Sequence, residues 1–173
     1  EALEYYQKSL DIKIRVVGSD HPDVADSFNN IGAVYAGKGD LENALVQHQK
    51  ALEIRTRVFG SDHPDVATSF NNIGLVYAGK GEFENALVQF QKGLEIQTRV
   101  FGSDHPDVAM SYGNLGNVYD SQGQYERALE NHQKALEIFI KVSGQDHPDV
   151  ATSYKNIGNV YNRQGQYERA LEY

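Results

Sequence analysis

The sequence predicts an all-α solenoid of antiparallel helix pairs, and three observations carry that prediction. The string His-Pro-Asp-Val-Ala begins at His21, His63, His105 and His147, always 42 residues apart. Residues 21–62 and 63–104 agree at 35 of 42 positions. Apolar residues inside each period follow helical spacing, and Pro and Gly return at fixed phases. Self-similarity at such a period means one supersecondary unit per repeat, each burying its apolar face on its neighbours.

The register of the repeats sets the organisation. Glu1-Ala2-Leu3-Glu4-Tyr5 matches Arg169-Ala170-Leu171-Glu172-Tyr173, so residues 1–168 are four periods begun half-way through one. Residues 1–173 then read as a single solenoid. Residues 1–20 are helix B of a truncated repeat, 21–62, 63–104 and 105–146 are full repeats, and 147–173 are a partial one. With no initiator Met, the chain reads as a window from a longer array.

Each element has its own signals. In residues 63–104, Val66, Phe70, Ile73 and Tyr77 make the apolar stripe of helix A. Pro64 suits the first helical position, and Asp65 meets the positive end of the helix dipole. Gly79-Lys80-Gly81 ends helix A, as Gly39, Gly123 and Gly165 do elsewhere. Phe83, Ala86, Leu87, Phe90, Leu94 and Val100 form the stripe of helix B. Arg99 suits its last turn, and Gly102 its stop, matched by Gly18, Gly60 and Gly144. Gly32, Gly74, Gly116 and Gly158 fall inside helix A, where Gly costs about 1 kcal/mol against Ala. Their recurrence predicts a close approach of helix B, opposite Ala44, Ala86 and Ala128.

Composition narrows the function. A net charge of −8 and a pI near 5.2 disfavour nucleic acid as a partner, because that binding needs clustered Lys and Arg. Without cysteine there is no disulfide framework, thiolate metal site or Cys nucleophile. No apolar run is long enough to span a membrane, and a cytoplasmic setting suits this composition. No cofactor motif and no catalytic constellation emerge. Ser61-Asp62-His63 holds a nucleophile and a base by type, but neighbouring loop residues do not make a triad. The chain therefore reads as non-enzymatic.

Phe28-x2-Ile31-Gly32-x2-Tyr35, followed by Ala44-x3-His48, resembles the tetratricopeptide pattern, with Phe in place of Trp. Gly123-Gln124-Tyr125-Glu126-Arg127-Ala128-Leu129 resembles that family's entry to helix B more closely still. The usual repeat has about 34 residues, so the eight extra ones add about two turns. The 42-residue period with His-Pro-Asp-Val-Ala resembles the kinesin light chain subclass, whose repeats bind cargo peptides. The resemblance implies a right-handed superhelix and a concave groove lined by helix A.

Carried onto this chain, the groove phases are Asn30, Asn72, Asn114 and Asn156, with Asn29 and Asn71 preceding the first two. Ala33, Leu75, Asn117 and Asn159 come one turn later, then Ala36, Ala78, Asp120 and Asn162. An Asn amide both donates and accepts, so a ladder of them suits the backbone of an extended peptide. Asp26 marks the first half of the groove, whereas Lys155, Asn159, Asn162 and Arg163 mark the last. An acidic part of a peptide is therefore expected towards repeats three and four. The Lys/Arg clamp that related domains use on chaperone tails is missing from the matching positions. The expected partner is a protein or peptide, and the role that of a scaffold.

The histidines divide into two sets. His21, His63, His105 and His147 read as helix N-terminal caps, since copies one layer apart, roughly 10 Å, cannot share a metal that needs ligands near 2 Å. They also lack the flanks of a J-domain His-Pro-Asp. His48 and His132 take the helix B phase of Tyr6 and Phe90, so they are expected in a partly buried seam with lowered pKa. Two other roles fit the same residues. One is head-to-tail self-association through the open terminal helices, because faces that pack inside the chain are complementary. The other is a sensor array of a larger signalling protein.

Overall fold

The computed structural model describes residues 2–173; Glu1, where the first repeat match opens, lies outside them. The described residues are helical and contain no strand, in the order α1 (Ala2–Val17), α2 (Pro22–Gly37), α3 (Leu41–Phe59), α4 (Pro64–Gly79), α5 (Phe83–Phe101), α6 (Pro106–Ser121), α7 (Tyr125–Ser143), α8 (Pro148–Arg163) and α9 (Tyr167–Ala170). Helices α2, α4, α6 and α8 are the A helices, of 16 residues each. Helices α3, α5 and α7 are B helices of 19. The residues form two compact units that divide between Ile96 and Gln97, inside α5.

Capping explains the period. His21, His63, His105 and His147 hold extended backbone, and each Nδ1 accepts the N–H of the Asp two residues on, at 3.1–3.3 Å. Pro then occupies the first helical turn, where no N–H is needed. The B helices stop differently from the A helices. Gly60 has φ 85° and ψ 168°, a positive-φ extended conformation open essentially to glycine alone, rather than the left-handed helical one.

In the first unit, Leu10, Val24, Ala25, Ile31, Ala51 and Ile54 form a buried cluster, flanked by Leu3, Phe28 and Tyr35. Val66, Ala67 and Ile96 form another, with Leu52 and Phe70 against it. In the second unit, Ala109, Ala135, Leu136, Phe139, Val150, Ile157 and Tyr161 share one core. Val100, expected on the buried stripe of α5, is 44% exposed. It lies in the last turn of a helix whose stripe has by then rotated outward.

The mid-helix glycines have a packing cause, but their neighbour is not the expected alanine. A Cβ on Gly32 would stand 2.8 Å from the His48 ring. One on Gly74 would meet the Phe90 ring at 2.8 Å, and one on Gly116 the His132 ring at 2.7 Å. Each glycine makes room for a ring lying flat across helix A. Ala44, Ala86 and Ala128 are fully buried beside that seam, one turn before the ring.

Candidate functional site

The first unit contains a hollow of about 370 Å³ lined by Asn29, Ala33, Ala36, Leu41, His48, Asn72, Leu75 and Val76. Asn29, Ala33 and Ala36 share one face of α2 because they are one and two turns apart. Asn72, Leu75 and Val76 share the facing side of α4 by the same spacing. Leu41 and His48 reach in from α3. Most of the wall is therefore aliphatic, with two amides and one imidazole set into it.

Those three polar groups are bonded to one another. His48 reaches the site because Gly32 lets its ring lie against α2, where Asn29 sits one turn earlier. His48 Nδ1 is 3.0 Å from Asn29 Oδ1, and Asn72 Nδ2 donates to that same oxygen at 2.7 Å. An oxygen that accepts from Asn72 cannot donate, so Nδ1 of His48 carries the proton and Nε2 is bare. Burial, helped by the positive charge of Arg55, holds the pKa of His48 below the ordinary value and keeps the ring neutral. Asn29 Nδ2 and Asn72 Oδ1 are not used in this network, so the amide pair presents a donor group and an acceptor.

The other amides of the expected ladder divide. Asn30 is exposed on α2, beside the hollow rather than in its lining. Asn71 turns its Oδ1 onto α5, where a Cβ at Gly93 would overlap it. In the second unit, Asn114 and Asn156 are half-buried, and Asn117 is exposed. Lys155, Asn159 and Asn162 line a separate hollow of about 510 Å³ with Tyr167, Leu171 and Tyr173. Leu75 in the first unit corresponds to Asn117 and Asn159 in the second. The first unit thus presents an aliphatic groove and the second a polar one.

The charges of the expected gradient are partly spoken for. Asp26 receives Arg55 Nη2 at 2.7 Å, and Arg163 stands 3.2 Å from Asp120. Burial raises the pKa of Asp120, and the Arg163 charge opposes that rise. The cationic character of the last half therefore rests on Lys155.

Arg55 is a residue that sequence reasoning did not single out. It is 7% exposed and also donates to Ser69 Oγ at 2.9 Å and to the Asp65 carbonyl at 3.2 Å. Its phase is held by Lys13, Gln97 and Phe139, each beside the next A helix. Lys13 donates to Ser27 at 3.0 Å, Gln97 accepts from Ser111 at 2.6 Å, and Phe139 joins an apolar core. The signal was present in the sequence: this phase differs in every repeat, while the Ile just before it recurs in all four.

His132 is 1% exposed, and burial pushes its pKa down to about 4. Among the described residues, no group of His, Cys, Asp or Glu is arranged to hold a metal ion. None of their helices is long and apolar enough to cross a membrane.

The tetratricopeptide repeat family matches residues 1–56, 24–99, 71–141 and 121–173, together the whole chain. A search of the curated proteins finds no match. Among solved structures, BtubC (BKLC) from P. vanneervenii is similar at 27% identity and a TM-score of 0.83, over 96% of this chain and 66% of that one. A putative kinesin light chain of Podosopora anserina with nearly identical TPR-like repeats aligns at 24% identity and a TM-score of 0.80, over 99% and 82%. A Rap protein complexed with Competence and Sporulation Factor aligns at 20% identity and a TM-score of 0.82, over 99% of this chain and 45% of that one. The chain thus spans just under two thirds of the BtubC chain.

Proposed function

The chain belongs to the tetratricopeptide repeat family, with repeats of the kinesin-light-chain-like kind, and from that premise we propose that its first-unit groove holds an extended peptide segment of a partner protein. The solenoid fold is one typical of protein–protein interaction. The observation that carries the reading is the Asn29–Asn72 pair, which offers a donor and an acceptor to one peptide unit. Ala33, Ala36, Leu41, Leu75 and Val76 around that pair suit an apolar side chain of the same peptide. The likeness to a Rap protein solved with a bound factor agrees with such a use of the fold. The second unit has its own polar hollow, which suits a hydrophilic segment, with Lys155 favouring an acidic residue there. Asn30, Asn114, Asn117, Asn156, Asn159 and Asn162 are its further contacts.

Selection from a random-peptide display library tests this. The expected result is a shared motif with one apolar anchor, whose binding falls at least tenfold on Asn29→Ala/Asn72→Ala. Equal binding to both proteins contradicts the reading.

Self-association is a second reading, favoured by apolar side chains in solvent: Ile12 at 54%, Val16 at 75% and Leu171 at 88% exposure. Sedimentation across a concentration series decides it. A monomer at all concentrations rejects it.

A further inference from the structure

Repeats 21–62 and 63–104 carry the same Asn-Asn pair, yet the first Asn of each points to a different place. Two exchanges on helix B account for this. In the first repeat the helix B residues are His48 and Ala51; in the second they are Phe90 and Gly93. The imidazole of His48 binds Asn29 Oδ1 at 3.0 Å, while the Ala51 methyl, fully buried, fills the alternative seat. The phenyl ring of Phe90 has no polar hydrogen to give. Asn71 turns instead onto α5, into the space that Gly93 leaves by lacking a Cβ. The glycine and the phenylalanine thus form one device, and the histidine and alanine form another.

We propose that His48 is a positioning residue for ligand binding, which with Ala51 holds the Asn29 amide against Asn72. This rests on the groove reading above. Without the imidazole, Asn29 Oδ1 loses one of its two donors. With Gly at position 51 it also gains somewhere else to go. The donor of Asn29 then no longer stands beside the acceptor of Asn72, and a peptide unit cannot meet both. Specificity in this array would be written on helix B, behind the groove, as well as on the helix that lines it.

The variant His48→Phe/Ala51→Gly copies the second repeat, where the same two residues already fold. Two readouts apply to the intact chain. The first needs no ligand: imidazole and side-chain amide nitrogen NMR. Wild type is expected to show His48 with a protonated Nδ1 and a bare Nε2, and the double variant a displaced Asn29 amide signal. A protonated Nε2, or an Asn29 signal that does not move, overturns the positioning role. The second uses peptides selected on the wild type from a random-peptide display library. Their affinity is expected to fall at least tenfold on the double variant and to stay within threefold on Thr56→Ala, an exposed helix B control two turns beyond His48. Peptides that bind wild type and double variant alike overturn this inference while leaving the groove reading intact. A library that enriches nothing on wild type overturns the groove reading and the positioning role with it, whatever the NMR shows.

Discussion

Repeats 21–62 and 63–104 differ at seven positions, and four of the seven are two coupled exchanges. Asp26 and Arg55, an ion pair in the first repeat, become Thr68 and Gln97 in the second. His48 and Ala51 become Phe90 and Gly93. Near-identical repeats are therefore not interchangeable. Each carries its own solution to burying helix B: a charged Arg55 and an imidazole in one, a neutral Gln97 amide and a phenyl ring in the other. A difference at one phase requires a second difference at the phase it touches, because interiors are packed too closely to absorb either alone.

The largest way to break the equivalence is at the glycine that both repeats share. Gly74→Leu forces side-chain atoms into the Phe90 ring, which is 1% exposed and cannot move aside. A loss of about 3 kcal/mol is expected, at the upper end for overpacking, read as a lowered urea midpoint. Thr68→Ala on the exposed face of the same helix should leave the midpoint nearly unchanged. Equal midpoints for the two variants would remove the packing explanation of the mid-helix glycines.

The ion pair comes next. Asp26→Thr alone leaves the Arg55 guanidinium buried without its carboxylate. The cost is expected at about 1–2 kcal/mol, below that of a fully buried pair because Asp26 remains half in solvent. Adding Arg55→Gln, as in the second repeat, should recover part of it. A double-mutant cycle with no coupling contradicts the pairing.

The two buried histidines sharpen the contrast through pH. Both have pKa values lowered by folding, so the unfolded chain binds more protons below its ordinary His pKa of about 6.5. Their contribution to stability is complete above that value and is lost as pH falls towards the folded value, about 4 for His132. At pH 5.5 the loss from His132 is roughly 1.4 kcal/mol, and His48 adds to it in the same direction. Asp120, raised by burial, has the opposite sign. The Tm should fall by several degrees between pH 7.5 and 5.5, and less in His132→Phe. A flat Tm over that range contradicts the burial of both rings.

The smallest expected effect is a gain. Gly113 stands within α6 at the phase of Asn29 and Asn71, and a Cβ there would meet nothing within 4 Å. Gly113→Ala should stabilise by up to about 1 kcal/mol through helix propensity. A measured loss would mean that the backbone at this phase needs the freedom of glycine.

The same contrasts show what the sequence makes legible. Period, helix order, caps and stops follow from residues whose backbone preferences are local: His-Pro-Asp at each start and glycine at each end. The groove phases followed from the tetratricopeptide resemblance. Which amides face the groove did not, because Asn29 and Asn71 have identical flanking residues and are turned by side chains about 20 positions away. Arg55 was hidden for a related reason. An Arg on a helix that also carries Lys50, Arg57 and two Glu reads as solvent-facing until its Ser69 and Asp26 partners are brought to it.

The measurement closest to the centre is side-chain amide NMR of all Asn residues during titration with a peptide selected on the wild type. The Asn29 and Asn72 signals should move first and furthest, with Asn71 unaffected. Movement confined to Asn117, Asn159 and Asn162, with Asn29 and Asn72 still, would place the ligand on the polar unit and contradict the aliphatic first-unit pocket as its seat.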